Sequence, residues 1–419
     1  MITGLCVLLF AVLVDVRTAD ASEVQVLRNA RVVTMDGPDH GYALRVLNPG
    51  SVVLRDGKIV DVAEAVEIPD GASVLDLDGR WLLPGFVDAH APIGQELNGE
   101  DANEFTDVIT EDFDVLAAYD PWDAGLPRFF EHGVTSRAVS PGHENIVGGP
   151  IRVVKVAPGQ YPPPVVDGPV VFKVSLTDDV LGGRGRPRFP TAKSGAMGVF
   201  RSWVAARRSA APARVLIRLE TRTEAETVAR ILEDHPKLET VLSQGRSVGT
   251  TGTLDGARRR LIDAAGWRRL LQYEQAVLGP LHLGDPQWVL RIPAALERHG
   301  VRPAFASDGY PTKDLLTTAV LAHRAGLSLE AAVGALTAHP ALALGVEDRI
   351  GRIAAGMDAD LVAWTDNPFT LQGRVEYVWI DGKRVYSKPD DRVRRDLARK
   401  NGSAPVPTSA GGAAGKESP

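Results

Sequence analysis

The sequence has few of the residues on which several common kinds of site depend. It contains one cysteine, Cys6, in 419 residues, which excludes an internal disulfide and a cysteine-rich zinc site. Aromatic residues make up 6% of the chain and no basic stripe is present, so nucleic acid is not expected as a partner. The net charge of -6 and the 44% share of hydrophobic residues are typical of a large folded protein.

Three sequence motifs are also missing. No Gly-x-Gly-x-x-Gly opens a helix, which argues against a doubly wound dinucleotide-binding sheet, the main alternative fold. The Gly-rich loop 182–187 lacks the lysine and hydroxyl residue of a phosphate-binding loop. No Gly-x-Ser-x-Gly is present, so the sequence does not support an α/β-hydrolase triad.

The two ends of the chain are predicted to lie outside the fold. Residues 5–14 form an apolar run followed by Ala-Asp-Ala at 19–21, which predicts a signal peptide over 1–21 and an exported protein, periplasmic or secreted. A buried first strand is the alternative. Cleavage would remove Cys6, and no later stretch is apolar enough to cross a membrane. The tail 387–419 ends in Gly, Ala, Ser and Pro and is predicted to be disordered.

Between these ends the pattern predicts an α/β protein in two parts. Hairpin signals occur at Asp56-Gly57 and Asp381-Gly382, each between β-rich runs. Segments 22–83 and 350–386 are therefore predicted to form one small β-sandwich from both ends of the chain. Strands and helices alternate over 84–349, which favours parallel βα units. Eight strand candidates predict a (β/α)8 barrel of the TIM type there, the third, at 151–156, being the weakest.

Two stretches resemble a known family. Residues 82–94 read Leu-Leu-Pro-Gly-Phe-Val-Asp-Ala-His-Ala-Pro-Ile-Gly, and residues 351–362 read Gly-Arg-Ile-Ala-Ala-Gly-Met-Asp-Ala-Asp-Leu-Val. Both resemble signatures of the amidohydrolase superfamily, and most nearly its imidazolonepropionase-related, metal-dependent members. The resemblance covers about 24–386. It implies the barrel, a divalent metal, and hydrolysis of carbon–nitrogen bonds in a small amide or cyclic imide.

The resemblance also implies site residues. His90 matches the first of two strand-one histidines, while Pro92 stands where the second is expected. Asp178 falls where the family has a strand-four Glu, with Lys173 as an alternative. Asp308 matches the strand-eight Asp, which in the family ligates metal and shuttles a proton. The implied metal ligands are therefore His90, Asp178 and Asp308, with Asp308 as the catalytic base.

The remaining family positions are changed. Glu220 and its neighbours stand where strand five has histidines, and Gln244 stands where strand six has one. This small set of ligands is compatible with Zn or Mn, with Mg that also binds water, or with no metal at all. His143 and Asn145 lie in a loop similar to one near the family's active site. Histidines with structural or less certain roles are His132, His235, His282, His299 and His339.

Three functions stay open from the sequence. The first is a non-catalytic binding or partner subunit, working as a homo-oligomer or beside an intact paralogue. The second is a divergent hydrolase with one metal at His90, Asp178 and Asp308. The third is metal-free chemistry by Asp308 with Glu220 or His143. Fold alone cannot choose among them, because barrels host many chemistries.

Overall fold

The computed structural model describes residues 24–37, 42–92, 103–104, 106–182, 188–207, 213–219, 221–233, 238–244, 275–281, 285, 287–308 and 313–388. All structural statements concern these residues. The predicted signal peptide, the tail from 389, Glu220 and His282 lie outside them, as does the side chain of Gln244. Residues 254–264 and 269–272, which the sequence pattern predicts to be a helix and the seventh barrel strand, also lie outside them, as does His235.

The described residues form a mixed α/β fold with two eight-stranded sheets. The strands are β1 (Gln25–Val33), β2 (Val46–Arg55), β3 (Lys58–Ala63), β4 (Ser73–Asp76), β5 (Trp81–Pro84), β6 (Phe86–Pro92), β7 (Val134–Ser140), β8 (Val147–Lys155), β9 (Val171–Ser175), β10 (Ala213–Leu219), β11 (Leu238–Gln244), β12 (Gln275–Leu278), β13 (Arg302–Phe305), β14 (Leu361–Trp364), β15 (Val375–Ile380) and β16 (Lys383–Ser387).

The first sheet combines both ends of the chain, in the order β16-β15-β14-β5-β1-β2-β3, with β4 paired to β1. Both predicted hairpins are present as antiparallel pairs, β2 with β3 and β15 with β16. Asp56 and Gly57 have φ values of 52° and 78°, and Asp381 and Gly382 have 47° and 70°. Asp-Gly tolerates two successive positive φ angles, which a two-residue hairpin turn requires.

The second sheet has the order β13-β12-β11-β10-β9-β8-β7-β6. Each of its strands contributes to one buried apolar cluster, here called the inner cluster. A flat sheet cannot place residues from its first and last strands in one cluster, so the sheet curves strongly. The two end strands approach at Asp308, whose N–H donates to His90 O at 3.0 Å. The strand members of the inner cluster are Val87, Ala89, Ala138, Ile151, Val153, Val171, Leu216, Val241, Val277 and Ala304.

One strand of this sheet departs from the predicted parallel pattern. β8 runs antiparallel to both β7 and β9, so the expectation of a parallel third strand is wrong. The physical reason is the short connection from β7, since residues 141–146 form a loop without a helix. A parallel pair needs a crossover of a dozen or more residues, whereas a short loop returns the chain antiparallel.

Eight helices lie among the described residues: α1 (Leu126–Glu131), α2 (Lys193–Ala206), α3 (Arg222–Leu232), α4 (Gln287–Leu290), α5 (Ile292–Arg298), α6 (Lys313–Arg324), α7 (Leu329–Gly334) and α8 (Ala338–Leu344). The predicted helix 287–299 is split, because Pro293 starts a new helix at α5. A large apolar cluster fills the space between the helices and the second sheet. None of the described helices combines the length and apolar character needed to cross a bilayer.

Candidate active site

Five polar side chains converge at the carboxyl ends of strands of the second sheet, and all five are buried. Four of them lie two residues after a member of the inner cluster, and for the three that lie within strands, alternation points the side chains to the same side. Carboxyl ends of barrel-type strands are where active sites form. The five are His90 on β6, Ser140 on β7, Lys173 on β9, Arg218 on β10 and Asp308 just after β13.

His90 reaches the site through an irregularity in its strand. Val87 and Ala89 belong to the inner cluster, so strict alternation would turn His90 to the opposite face. The pairing of β6 with β7 is shifted between Asp88 and Ala91. Such a shift re-aims a side chain locally, and it accounts for the position of His90 beside Asp308.

Both ring nitrogens of His90 have partners. Nδ1 lies 3.0 Å from Asp308 Oδ1, and Nε2 lies 3.0 Å from Ser140 Oγ. A carboxylate only accepts, so Nδ1 carries the hydrogen and Nε2 is an acceptor for the Ser140 hydroxyl. Burial is the main cause that lowers the pKa of His90 to about 4. The imidazole is therefore neutral at pH 7 and able to accept a proton.

Asp308 is held by a buried arginine. Arg218 Nη1 lies 2.5 Å from Oδ1 and 2.5 Å from Oδ2 of Asp308. Burial by itself raises the pKa of Asp308, but the Arg218 charge and the His90 hydrogen bond outweigh it and hold that pKa well below its usual range. The φ of Asp308 is 50°, a left-handed conformation that aspartate tolerates better than most residues. Asp308 is thus ionised, and its carboxylate is held in place by Arg218.

Lys173 and His143 complete the cluster. Lys173 Nζ donates to Pro141 O at 2.7 Å and to Gly142 O at 2.6 Å, and it lies 2.7 Å from His143 Nδ1. The His143 ring stacks on His90 with centroids 5.5 Å apart, and its Nε2 is 3.5 Å from Asp308 Oδ1. Burial is the first cause that places the pKa values of both Lys173 and His143 well below their usual range.

Comparison with known proteins identifies the family. Residues 192–386 match the model described as Amidohydrolase family. A solved amidohydrolase from Thermotoga maritima MSB8 is 27% identical with a TM-score of 0.71, covering 87% of this chain and 100% of that one. An imidazolonepropionase from Mesorhizobium japonicum is 25% identical over 82% of this chain and 92% of its own length. The chain belongs to the amidohydrolase superfamily.

Another relative of comparable similarity is much longer than this chain. The amidohydrolase tasK of Hapsidospora irregularis is 27% identical over 83% of this chain. The chain spans 41% of that relative's length. The similarity therefore concerns one part of tasK.

Superfamily members usually bind a divalent metal, and one group here has suitable spacing. Ligand atoms of His90, His143 and Asp308 all lie within 4.8 Å of one another. However, Arg218 contacts both Asp308 oxygens, and Lys173 contacts one His143 nitrogen. A divalent ion would have to enter beside a permanent guanidinium charge in buried surroundings. As arranged, these residues do not fit a divalent metal, and no chemical step is assigned to one.

The structure brings together only part of the set implied by the sequence. His90 and Asp308 are in contact, and His143, considered for a pocket role, lies against both. Asp178 is outside the cluster: its side chain is 64% exposed and pairs with Lys193 at 3.0 Å. The predicted grouping of Asp178 with His90 and Asp308 is therefore wrong. Its cause is a short 3-10 turn, Asp178–Val180, that begins just past β9.

Two functional candidates, Ser140 and Arg218, were not found from the sequence. The family motif of strand five aligns with residues 219–222, just past the inward-facing position 218. A usable signal exists, because Arg218 interrupts the apolar run Val-Leu-Ile-Arg-Leu on β10. A charge inside a buried strand is costly unless it is paired. Ser140 carries no comparable signal and needs the three-dimensional contact with His90.

Proposed function

We propose that this protein hydrolyses carbon–nitrogen bonds other than peptide bonds, in a small amide or cyclic imide. Membership of the superfamily and relatives named amidohydrolase and imidazolonepropionase support the reaction class. The observation that carries the proposal is the His90–Asp308 contact of 3.0 Å at the carboxyl edge of the second sheet. A neutral imidazole held by an ionised carboxylate is suited to accept a proton from an attacking group.

His90, rather than Asp308, is the proposed proton acceptor. Asp308 was expected from the sequence to act as the base. Both of its oxygens are occupied by Arg218, so neither is available to take a proton from an attacking group. The Nε2 lone pair of His90 faces the Ser140 hydroxyl and can take up its proton. Asp308 then fixes the tautomer of His90 and offsets the charge that His90 gains.

The second sheet is proposed to close into a (β/α)8-type barrel. Support comes from the inner cluster, which draws on all eight strands, and from the Asp308 to His90 backbone hydrogen bond. Asp88 adds a second link, because its Oδ1 accepts from Ser307 N at 2.8 Å and from His90 N at 3.4 Å. Closure matters for function because it places β6 and β13, and so His90 and Asp308, side by side.

The test is a hydrolysis screen with matched variants. Purified protein is assayed against amide and cyclic-imide libraries, alongside His90→Ala, Asp308→Asn and Asp178→Asn. Hydrolysis that is lost in the first two variants and retained in Asp178→Asn supports the proposal. No turnover of any library member by the wild type opposes it and favours the non-catalytic binding or partner subunit. For that role, the occupation of Asp308 by Arg218 is the supporting observation.

A metal-dependent hydrolase is the second candidate. It requires a divalent ion to displace Arg218 from Asp308, after which the ligand atoms of His90, His143 and Asp308, all within 4.8 Å of one another, would converge on that ion. Zn or Mn is the expected ion in that case. Metal content is measured by plasma mass spectrometry after dialysis. About one equivalent of metal, lost in both His90→Ala and Asp308→Asn, supports this candidate. Metal-free protein that still turns over substrate excludes it.

Export and the partner classes are also proposals. We expect a small-molecule substrate, no nucleic acid or membrane partner after cleavage, and either self-association or an intact paralogue as a protein partner.

The run 5–14 and the Ala-Asp-Ala at 19–21 support export. Expression in a Gram-negative host with amino-terminal sequencing of the mature protein tests it. A mature terminus at Ser22 in the periplasm agrees with export, whereas a retained residue 1 in the cytoplasm contradicts it.

A further inference from the structure

Asp308, His90 and Ser140 form a continuous hydrogen-bonded relay. The carboxylate contacts His90 Nδ1 at 3.0 Å, and His90 Nε2 contacts Ser140 Oγ at 3.0 Å. The three residues come from the carboxyl ends of β6 and β7 and from the residues after β13. A serine, a histidine and a carboxylate in this order are recognised as a nucleophilic triad by geometry, whatever their order in the chain.

We propose that Ser140 is the nucleophile of a metal-independent acyl-transfer reaction, with His90 as its base and Asp308 as the group that orients His90. This inference rests on the proposed carbon–nitrogen hydrolysis and specifies how the bond is broken. The site differs from the nucleophile elbow of α/β-hydrolases, whose motif is absent from the sequence. Here the serine ends strand β7 directly before Pro141 and Gly142.

The reaction balances with water as the co-reactant. Ser140 Oγ attacks the substrate carbonyl carbon while its proton passes to His90 Nε2. The carbon–nitrogen bond then breaks, His90 returns the proton to the leaving nitrogen, and an ester to Ser140 remains. Water attacks this ester, giving a proton to His90. The ester carbon–oxygen bond breaks, the proton returns to Ser140 Oγ, and the carboxylic acid leaves.

Lys173 positions the residues around Ser140. Its Nζ donates to Pro141 O at 2.7 Å and to Gly142 O at 2.6 Å, and Pro141 O lies 3.0 Å from Ser140 Oγ. The single hydroxyl hydrogen of Ser140 goes to one acceptor, which in the relay is His90 Nε2. By fixing Pro141 and Gly142, Lys173 holds Ser140 in place for the attack.

His143 lies on the partly exposed side of the relay. Ser140 and His90 are fully buried, whereas the His143 side chain is 13% exposed and stacks on His90. Its loop, 141–146, connects β7 to β8. Because Ser140 is fully buried, a small electrophile is the appropriate first probe.

A second serine on the same strand provides the matched control. Ser136 is also fully buried on β7, but its hydroxyl has no hydrogen-bond partner among the described residues. Burial on this strand alone therefore does not produce a relay. If Ser140 were merely a packed polar residue, Ser140→Ala and Ser136→Ala would behave alike.

The experiment uses a small alkyl fluorophosphonate, which phosphonylates activated serines, on the full chain treated with EDTA. The expected result is one adduct, mapped to Ser140 by peptide mass spectrometry, in the wild type and in Ser136→Ala. Adduct formation is expected to be lost in Ser140→Ala and His90→Ala, with thermal melting confirming that both variants fold. No adduct at Ser140 in the wild type overturns the proposal.

Turnover separates this inference from the proposed function. With a substrate from the hydrolysis screen, Ser140→Ala is expected to lower kcat by about 10⁶-fold and Ser136→Ala to leave it unchanged. A wild type that hydrolyses substrate equally well after Ser140→Ala keeps the proposed function and refutes the triad. A wild type that forms the Ser140 adduct but turns over no amide or imide refutes the proposed function and supports the activated serine.

Discussion

Replacing Asp360 by asparagine is expected to stabilise the protein above pH 6, although Asp360 lies beside a lysine. Asp360 is buried where the second sheet meets the first. Its Oδ1 accepts from Asp381 N at 2.9 Å and lies 3.3 Å from Lys155 Nζ. Its Oδ2 is buried without a hydrogen-bond partner among the described residues. Burial, which outweighs the Lys155 charge, raises the pKa of Asp360 to about 6.

The sign follows from linkage between protonation and folding. The ordinary pKa of Asp360 is 3.8 and the folded value is about 6, so the folded state binds the proton more tightly. The stability from this group is fully present below pH 3.8 and is lost as pH rises through about 6. A shift of this size is worth about 3 kcal/mol. Asparagine cannot ionise, so the Asp360→Asn variant keeps its stability at high pH.

Calorimetric melts of the wild type and Asp360→Asn from about pH 3 to 8 test this prediction. The two melting temperatures are expected to agree at the acid end, to separate between pH 3.8 and about 6, and to differ by a constant amount above that range. For a chain of this length, about 3 kcal/mol corresponds to roughly 3 °C. The control is Asp366→Asn, an exposed carboxylate just after β14, for which no pH-dependent gap is expected. A less stable Asp360→Asn at pH 8, or a gap independent of pH, refutes the reasoning.

Three further predictions concern packing and the site. Gly85→Ala is expected to destabilise by about 1–3 kcal/mol, because its Cβ would lie 2.0 Å from a threonine on β7. In contrast, a Cβ added at Gly198 in α2 would have no atom within 4 Å, so Gly198→Ala is expected to stabilise the protein by about 1 kcal/mol. Urea denaturation measures the free energy of unfolding of both variants. Arg218→Met is expected to free Asp308 and increase zinc binding measured by calorimetry, and unchanged zinc binding would contradict this. Lys173→Met is expected to lower kcat by about 10²-fold, because it releases Pro141 and Gly142 beside Ser140, and an unaffected kcat would remove its proposed role.

The sequence was sufficient for the features that depend on local patterns. Asp-Gly at 56–57 predicts its hairpin because few other pairs adopt two positive φ angles without strain. Seven of the eight strands of the second sheet coincide with short apolar runs that predict strands, whereas β12, at Gln275–Leu278, lies past the seventh predicted strand at 269–272. The direction of β8 was not, since direction depends on the absence of a crossover helix after Ser140. Local apolar pattern is the same for parallel and antiparallel pairing when both faces are buried.

The site was only partly predictable, for a different physical reason. His90 and Asp308 end or follow apolar runs and match a known motif, so both were found. Asp178 has the same kind of position, yet the 3-10 turn after β9 places it at the surface, where it pairs with Lys193. Nothing in the sequence alone indicates that turn. The family motif of strand five aligns with residues 219–222 and therefore does not point to Arg218, one residue before it.

The charge of the cluster explains both why metal ligands are replaced and why buried cations are present. Arg218 and Asp308 cancel each other, and His90 is neutral because its pKa is about 4. The lowered pKa of Lys173 favours an amine that adds no charge. A divalent ion here would leave two or more uncompensated positive charges in buried surroundings, which is strongly unfavourable. Loss of Arg218 alone would leave Asp308 as a net negative charge, the condition under which a divalent ion becomes favourable. The guanidinium of Arg218 therefore neutralises Asp308 in place of a metal ion. His90 then accepts the proton, and Ser140 carries out the nucleophilic attack.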